Sequence, residues 1–225
     1  MRMLTKKEAD GRRQGRVDTA HVSPVKSCNT MRTEEIERLL AEAGAVRHGH
    51  FVLSSGRHGQ TYVQCALVLA YPKHAEALGR ALAERFRGIE IDAVVSLALG
   101  GLILGHEVAR ALGVRALFVE RDANGGMALR RGFEIQPSER ILVIEDVWTT
   151  GKSTREGIEV VEAAGGRVVA LGALVDRSGG SLSWKVPAFA LLEISLPNYE
   201  PDNCPLCRAG GTAVRPGSRF KEATR

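Results

Sequence analysis

Apolar residues fall along the chain in short unbroken runs, and stretches of helical period separate those runs. Thr33 to Ala43 predicts a helix. Thr33 is its candidate N-cap, acids occupy its first turn, Ile36, Leu39 and Leu40 share one face, and Gly44 is its stop. Phe51–Leu53 and Thr61–Cys65 predict short strands around a Ser-Gly-Arg-His-Gly turn. Pro72 to Phe86 predicts a helix with proline near its first turn. Ala93–Leu97 predicts a buried strand leading through Ala98-Leu99-Gly100-Gly101 into a helix that ends at Leu112 before Gly113. Arg115–Glu120 is the next strand, and 122–130, with Asn124, Gly125 and Gly126, reads as a mobile loop. Arg140–Ile144 predicts a strand, Ser153–Ala164 a helix closed by Gly165-Gly166, and Val168–Val175 and Ala188–Ile194 further strands. Apolar runs without alternation, separated by helices, indicate a mainly parallel sheet covered on both faces. The expected class is α/β, doubly wound, with a small N-terminal hood at about 45–70.

Domain organisation follows from where this pattern stops. Residues 1–30 are polar and lack either periodicity, so a disordered extension is expected, with Met31 as the possible true start. One domain is expected over 31–200, and 201–225 reads as a C-terminal tail.

Composition narrows the class. Hydrophobic residues make up 44% of the 225, enough for a sizeable core. No apolar run approaches the roughly 18 to 20 residues needed to cross a bilayer, and 1–30 contains no signal-like apolar segment. A cytoplasmic protein with no membrane partner is expected. The net charge of +5 is uneven: 1–30 and 208–225 each carry +4, which leaves −3 for 31–207. Basic character confined to the ends argues against nucleic acid as a partner. Four cysteines are too few for a disulfide scaffold of this length. Cys204 and Cys207 form a single C-x-x-C, half of a zinc site. Its completion requires Cys28, Cys65, a histidine or a second subunit, and the alternative is a reduced structural turn.

The candidate chemistry lies in the segment Glu139-Arg140-Ile141-Leu142-Val143-Ile144-Glu145-Asp146-Val147-Trp148-Thr149-Thr150-Gly151-Lys152-Ser153-Thr154. An apolar strand ends at two acids, and a helix begins a few residues later. In open parallel sheets ligands bind beyond the carboxyl ends of the strands. A helix start offers unpaired N–H groups and partial positive charge to a phosphate. Thr149, Thr150, Ser153 and Thr154 add hydroxyls, and Gly151 permits close backbone approach. Gly151-Lys152-Ser153 matches the end of a Walker A loop, but residue 146 would have to be the leading glycine and is Asp. No G-x-G-x-x-G follows a strand, which excludes the dinucleotide fingerprint. A ligand with a phosphate at one end and diol hydroxyls nearby would use both the acids and the helix start. Trp148 either shields this cradle from water or packs beneath it.

Glu145 through Ser153 resembles the phosphoribosyl-pyrophosphate (PRPP) signature of type I phosphoribosyltransferases. Phe51-Val52-Leu53-Ser54-Ser55-Gly56-Arg57 is similar to the F-x-L-x-S-G-R segment of the orotate phosphoribosyltransferases. Leu174-Val175-Asp176-Arg177 resembles their strand-end D-R motif, and 198–219 resembles the tail of one bacterial branch.

The resemblance implies transfer of phosphoribose from PRPP to orotate, giving orotidine 5′-phosphate and pyrophosphate in pyrimidine synthesis. Glu145 and Asp146 would hold the ribose hydroxyls, and Val147, Trp148, Thr149, Thr150, Gly151, Lys152 and Ser153 the 5′-phosphate. Arg177, with Thr149, would contact orotate, its guanidinium forking onto the orotate carboxylate. His58, in the Ser-Gly-Arg-His-Gly turn, is the histidine expected to line the site. Relatives carry a lysine just before S-G-R, where this chain has Ser54, and another after the strand matching Ala93–Leu97. Their mobile loop reads R-K-x-x-K-x-H-G. Here only Arg121 falls on one of its basic positions, so Arg130 and Arg131 are the candidate cations for pyrophosphate. The resemblance further implies Mg²⁺ held mainly by substrate and water, with no protein metal cage, and a homodimer. The alternatives are a purine phosphoribosyltransferase and a non-catalytic PRPP sensor on the same fold.

Overall fold

The structure is a computed structural model and describes residues 31–53 and 55–216. The expectations for 1–30, Cys28, Ser54 and 217–219 lie outside the described residues. In chain order the elements are α1 (Thr33–Glu42), β1 (Val46–Val52), β2 (His58–Val63), α2 (Cys65–Leu69), α3 (Pro72–Glu84), β3 (Ala93–Leu97), α4 (Leu102–Leu112), β4 (Arg115–Arg121), β5 (Met127–Leu129), β6 (Arg140–Trp148), α5 (Lys152–Ala163), β7 (Arg167–Asp176), β8 (Ala188–Glu193), β9 (Asn198–Tyr199), a 3-10 turn (Pro201–Asn203) and α6 (Pro205–Arg208).

Six strands form one sheet in the order β5-β4-β3-β6-β7-β8, parallel except for the edge strand β5. Alternate residues of each central strand enter different cores, as the two-residue strand period requires. Val94 of β3, Leu142 and Ile144 of β6, and Ala170 and Leu174 of β7 pack with Ile36 and Leu40 of α1, Leu78 and Leu82 of α3, and Leu104 and Val108 of α4. Ala93, Val95, Leu97, Ile141, Val143, Leu171 and Ala173 face the other way, toward Val161 of α5. Both faces are therefore covered, and all five residues of β3 are buried, which is why its sequence reads as a continuous apolar run.

From β3 the chain moves through α4 to β4 on one side. From β6 it moves through α5 to β7 on the other. The strand order reverses between β3 and β6, and this topological switch point opens a crevice beyond their carboxyl ends. Glycines let the two strand ends close on each other. A Cβ on Gly101 would sit 2.9 Å from the Ile144 carbonyl oxygen and 3.0 Å from that of Leu97, and one on Gly105 would overlap Ser96 Oγ at 1.8 Å.

A second, three-stranded sheet, β1-β2-β9, is antiparallel and forms the hood. Its third strand comes from the region after β8, so the chain beyond residue 197 packs back onto the hairpin near residue 50.

Several boundaries differ from the sequence expectation. Thr33 is the first helical residue rather than the N-cap, which is Arg32 with no side-chain bond. β1 starts at Val46 through the polar Arg47-His48-Gly49-His50, and Cys65 opens a helix instead of ending a strand. Part of the 122–130 loop is strand β5, paired to β4. β6 does not stop at Ile144. It continues through both acids to Trp148, because Glu145, Val147 and Trp148 keep partners on β7.

Candidate active site

Glu145 and Asp146 project from the last part of β6 at the switch point. Asp146 lies under the loop after β3: a Cβ on Gly100 would fall 2.4–2.5 Å from all three atoms of its carboxylate. Only glycine at position 100 allows that contact. Glu145 accepts a hydrogen bond from the Thr154 hydroxyl, one turn into α5. Burial pushes its carboxyl up to about 7. The Thr154 bond and the charge of Arg121 oppose this, and the neighbouring Asp146 and Glu156 carboxylates add to it. Burial also raises Asp146, against the backbone N–H groups of Asp146 and Val147. Two half-buried acids are thus held close, and the one cation that acts on Glu145, Arg121, does not offset its burial.

The turn from β6 into α5 is Trp148-Thr149-Thr150-Gly151. Thr149 and Thr150 are exposed, Lys152 is exposed with Nζ 3.8 Å from Glu156 Oε1, and Ser153 is half-buried. Gly151 caps the helix in the left-handed region, at φ 69°, and makes no side-chain cap. A side chain there would be strained, and its Cβ would meet Trp184 at 2.8 Å and Leu182 at 2.9 Å. Gly151 thus gives this 12-residue helix no side-chain cap, and the Lys152 N–H makes only a long contact of 3.4 Å to Thr150 Oγ1, so the helix start is open to an anion. Trp148 is 2% exposed and packs against Trp184, ring centroids 5.6 Å apart, so it lies beneath the turn. Val147 packs toward the opposite core.

Arg177 follows β7, its backbone N–H bonded to the Trp148 carbonyl at 2.8 Å. Its guanidinium reaches across to the hood, where Nη2 donates to the Thr61 carbonyl at 3.2 Å. The Nε of Arg177 is buried and has no partner. Burial lowers its pKa, and Tyr62 and Cys65 partly offset this. Tyr62 in turn is raised by burial first and by Asp146 second. Asp146, Tyr62, Cys65 and Arg177 therefore share one electrostatic environment where the hood meets the strand ends. Tyr62 and Gly100 were not singled out as site residues from sequence, and Cys65 was named there only as one way to complete a zinc site. The alternation in Thr61-Tyr62-Val63 is the only local hint for Tyr62, and Gly100 depends on a partner 46 positions away.

The cations of the 121–131 hairpin are already engaged. Arg121 donates to the Gly125 carbonyl and to Glu156 Oε2, both at 2.6 Å, and remains close enough to Glu145 to lower its pKa. Arg131 forks onto Glu120 at 2.7 and 3.0 Å, and Arg130 Nη1 lies 3.9 Å from the same carboxylate. His58 turns away from the expected position: its Nδ1 faces His50 and Cys207. A separate cavity of about 520 Å³ lies on the hood beside His48, Gln60 and Leu206. The acids, the open helix start and the unpartnered arginine are all at the strand ends, so the candidate chemistry is assigned there.

Two acids at a switch point, with an open helix start beside them, are an arrangement that suits a phosphorylated sugar. The phosphoribosyl transferase domain matches residues 67–203. The chain is 52% identical over 189 residues to orotate phosphoribosyltransferase of Pelotomaculum thermopropionicum, covering 84% of this chain and 99% of that one. It is 46% identical over 184 residues to that of Thermotoga maritima, covering 82% and 98%. Among solved structures, orotate phosphoribosyltransferase from Aeropyrum pernix aligns with a TM-score of 0.59 at 29% identity, over 71% of this chain and 93% of that one. The Mycobacterium tuberculosis enzyme in complex with PRPP aligns with a TM-score of 0.58 at 26% identity, over 71% and 94%. The chain belongs to the phosphoribosyltransferase family and, within it, to the orotate phosphoribosyltransferases. Among the described residues no helix is long and apolar enough to cross a membrane.

Proposed function

We propose that the protein transfers the phosphoribosyl group of PRPP to orotate, releasing pyrophosphate and forming orotidine 5′-phosphate in pyrimidine synthesis. The observation that carries the choice of base is Arg177, whose buried Nε lacks a partner among the described residues and which shares Tyr62 and Cys65 as electrostatic neighbours with Asp146. An unpartnered buried guanidinium donor is costly, and a planar carboxylate such as that of orotate would satisfy it with a two-point hydrogen bond. Thr149, across the same turn, completes the contact.

Orotate N1 attacks ribose C1. The N1–C1 bond forms as the C1–oxygen bond breaks, its electron pair leaves with pyrophosphate, and the proton of N1 passes to the departing pyrophosphate or to water. No side-chain nucleophile is required, so catalysis rests on positioning and on stabilising a ribose of oxocarbenium character. Glu145 and Asp146 accept hydrogen bonds from the ribose 2′- and 3′-hydroxyls. The 5′-phosphate rests on the start of α5, held by the backbone of Val147 to Gly151 and by the side chains of Thr149, Thr150, Lys152 and Ser153. Arg121, Arg130 and Arg131 exchange their present carboxylate partners for the pyrophosphate as the 121–131 hairpin closes. Mg²⁺ would be held mainly by substrate oxygens and water, with Glu145 and Asp146 as the nearby carboxylates, and would supply neutralisation of the pyrophosphate charge. The exposed Leu99 (77%) and Ile103 (46%) beside the crevice are the surface of a homodimer in a cytoplasmic enzyme. Light scattering of the eluted protein checks that assembly.

Incubation of purified protein with PRPP, Mg²⁺ and orotate is the direct test. The expected product is orotidine 5′-phosphate. Product from adenine or hypoxanthine instead, or none from any base, would overturn the assignment.

A further inference from the structure

Outside the crevice one cluster has no role in phosphoribosyl transfer. It consists of His50, His58, Cys204 and Cys207, whose ligand atoms all lie within 4.8 Å of one another. We propose that these four residues bind a structural Zn²⁺ that fastens the C-terminal tail to the hood.

The distances fit a tetrahedron. Zinc bonds of about 2.0–2.1 Å to nitrogen and 2.3 Å to sulfur give edges of about 3.3 Å between nitrogens and about 3.6 Å between nitrogen and sulfur. His50 Nε2 lies 2.9 Å from His58 Nδ1, 3.5 Å from Cys204 Sγ and 3.6 Å from Cys207 Sγ. Cys207 Sγ is 3.2 Å from His58 Nδ1. Small outward shifts of the rings bring the set to zinc geometry.

The tautomer of His50 is set independently. Its Nδ1 is 3.0 Å from the Gly211 carbonyl oxygen, which can only accept, so the proton sits on Nδ1 and the lone pair on Nε2 points into the cluster. Ligating histidines commonly carry such an outer hydrogen bond. Two thiolates and two neutral imidazoles make a neutral site with Zn²⁺, and that donor set in tetrahedral array favours zinc. All four positions are filled by protein, which marks a structural rather than a catalytic metal.

The backbone is arranged for the same purpose. The β1–β2 register shifts between His48 and Phe51, a bulge that re-aims His50 toward His58. The tail crosses the hairpin: Tyr199 pairs with His58, and Val214 exchanges hydrogen bonds of 2.8 and 2.9 Å with His50 and Val52. Cys204 is fully buried beneath the turn into α6, and Cys207 is exposed. Next to the cluster, Arg57 binds Glu200 at 2.6 and 2.8 Å, a second clasp between hood and tail. The clamped hairpin also carries Thr61, whose carbonyl receives Arg177.

Metal content of the untagged protein, purified without added metal or chelator, tests the assignment without relying on activity. About one zinc per chain is expected. Cys207→Ser, at an exposed position, and His50→Ala should each lose most of it, whereas His106→Ala, on exposed α4 surface, should retain it. Replacement by Co²⁺ should give the intense visible absorption of a tetrahedral thiolate–imidazole site, and chelation should lower Tm. Iron at the same stoichiometry overturns the zinc assignment. Metal-free protein with a Cys204–Cys207 disulfide by intact mass overturns the site, as does undiminished zinc in Cys207→Ser.

Discussion

The strand-end crevice and the hood–tail clasp are both clusters of polar side chains, but their interactions are arranged in opposite ways. In the crevice, groups are left wanting. Arg177 Nε has no partner, Glu145 is pushed up to about 7 by burial, and the start of α5 has no side-chain cap. At the clasp, four donor atoms converge on one point and His50 is fixed from behind by Gly211. Unsatisfied groups are expected where a ligand must arrive and leave, because each hydrogen bond withheld from the protein can be given to the ligand. A converged set with its own outer hydrogen bond suits a ligand that stays. The two meet through β2, where Thr61 holds Arg177 and His58 enters the clasp.

The sharpest way to break the contrast is at Asp146. Asp146→Asn should lower kcat/KM about 10²- to 10³-fold, as loss of a positioned transition-state contact does. Its Tm should stay level or rise, because burial already disfavours the charged carboxylate. Steady-state kinetics with a thermal melt checks both. Normal turnover would remove Asp146 from the site. Arg177→Ala comes next. It should raise the KM for orotate about 10²-fold while moving that for PRPP far less, since a lost buried charged contact costs about 2–5 kcal/mol. Equal changes in the two KM values would separate Arg177 from the base. Gly100→Ala should cost about tenfold in kcat with little loss of fold, because its Cβ displaces the Asp146 carboxylate by a fraction of an ångström to an ångström. An unchanged rate would show that the loop after β3 yields rather than the acid.

What could be read in advance follows the same division. The acids and the helix start of the crevice lie in one contiguous stretch, 145–154, at the spacing of a strand end and a helix start, so local order was enough for them, whereas Gly100 and Tyr62 join the crevice only through the fold. β3 matched its predicted bounds, Ala93–Leu97, because burial on both faces leaves an unbroken apolar run. β6 ran four residues beyond its apolar stretch because pairing with β7, invisible in one strand's composition, continues past Ile144. β1 was largely hidden, since Arg47-His48-Gly49-His50 has no strand character until the hairpin bulge and the tail are considered. The clasp was half legible. C-x-x-C announces two of the four clustered residues, but the histidines lie about 150 positions earlier, one of them in the turn assigned to the crevice. Arg130 and Arg131 carry charge that pattern alone assigns to pyrophosphate, and Glu120 claims it in this state.

The smallest expected effect probes what an open crevice costs the fold. Glu145 has a folded-state pKa of about 7, above its ordinary 4.5, with burial as the main cause. A raised carboxyl favours the folded state only while protonated. That contribution is complete below about pH 4.5 and is lost as pH rises through about 7. Above pH 7 the folded chain bears the cost of a buried carboxylate, about 2 kcal/mol after allowance for partial exposure. Glu145→Gln keeps an oxygen for the Thr154 hydroxyl and removes the charge. It should raise the Tm of ligand-free protein by about 4–8 °C at pH 8.5 and by almost nothing at pH 5. Differential scanning calorimetry at the two pH values checks it, with PRPP absent. A satisfied acid behaves differently: hydrogen bonds from Arg140 hold the Asp92 carboxyl well below its usual range, so Asp92→Asn should lower Tm to the same extent at pH 8.5 and pH 5, its contribution being lost only in more acid solution. A Glu145→Gln gain that does not depend on pH would mean that packing, and not the withheld charge, sets the cost of the site.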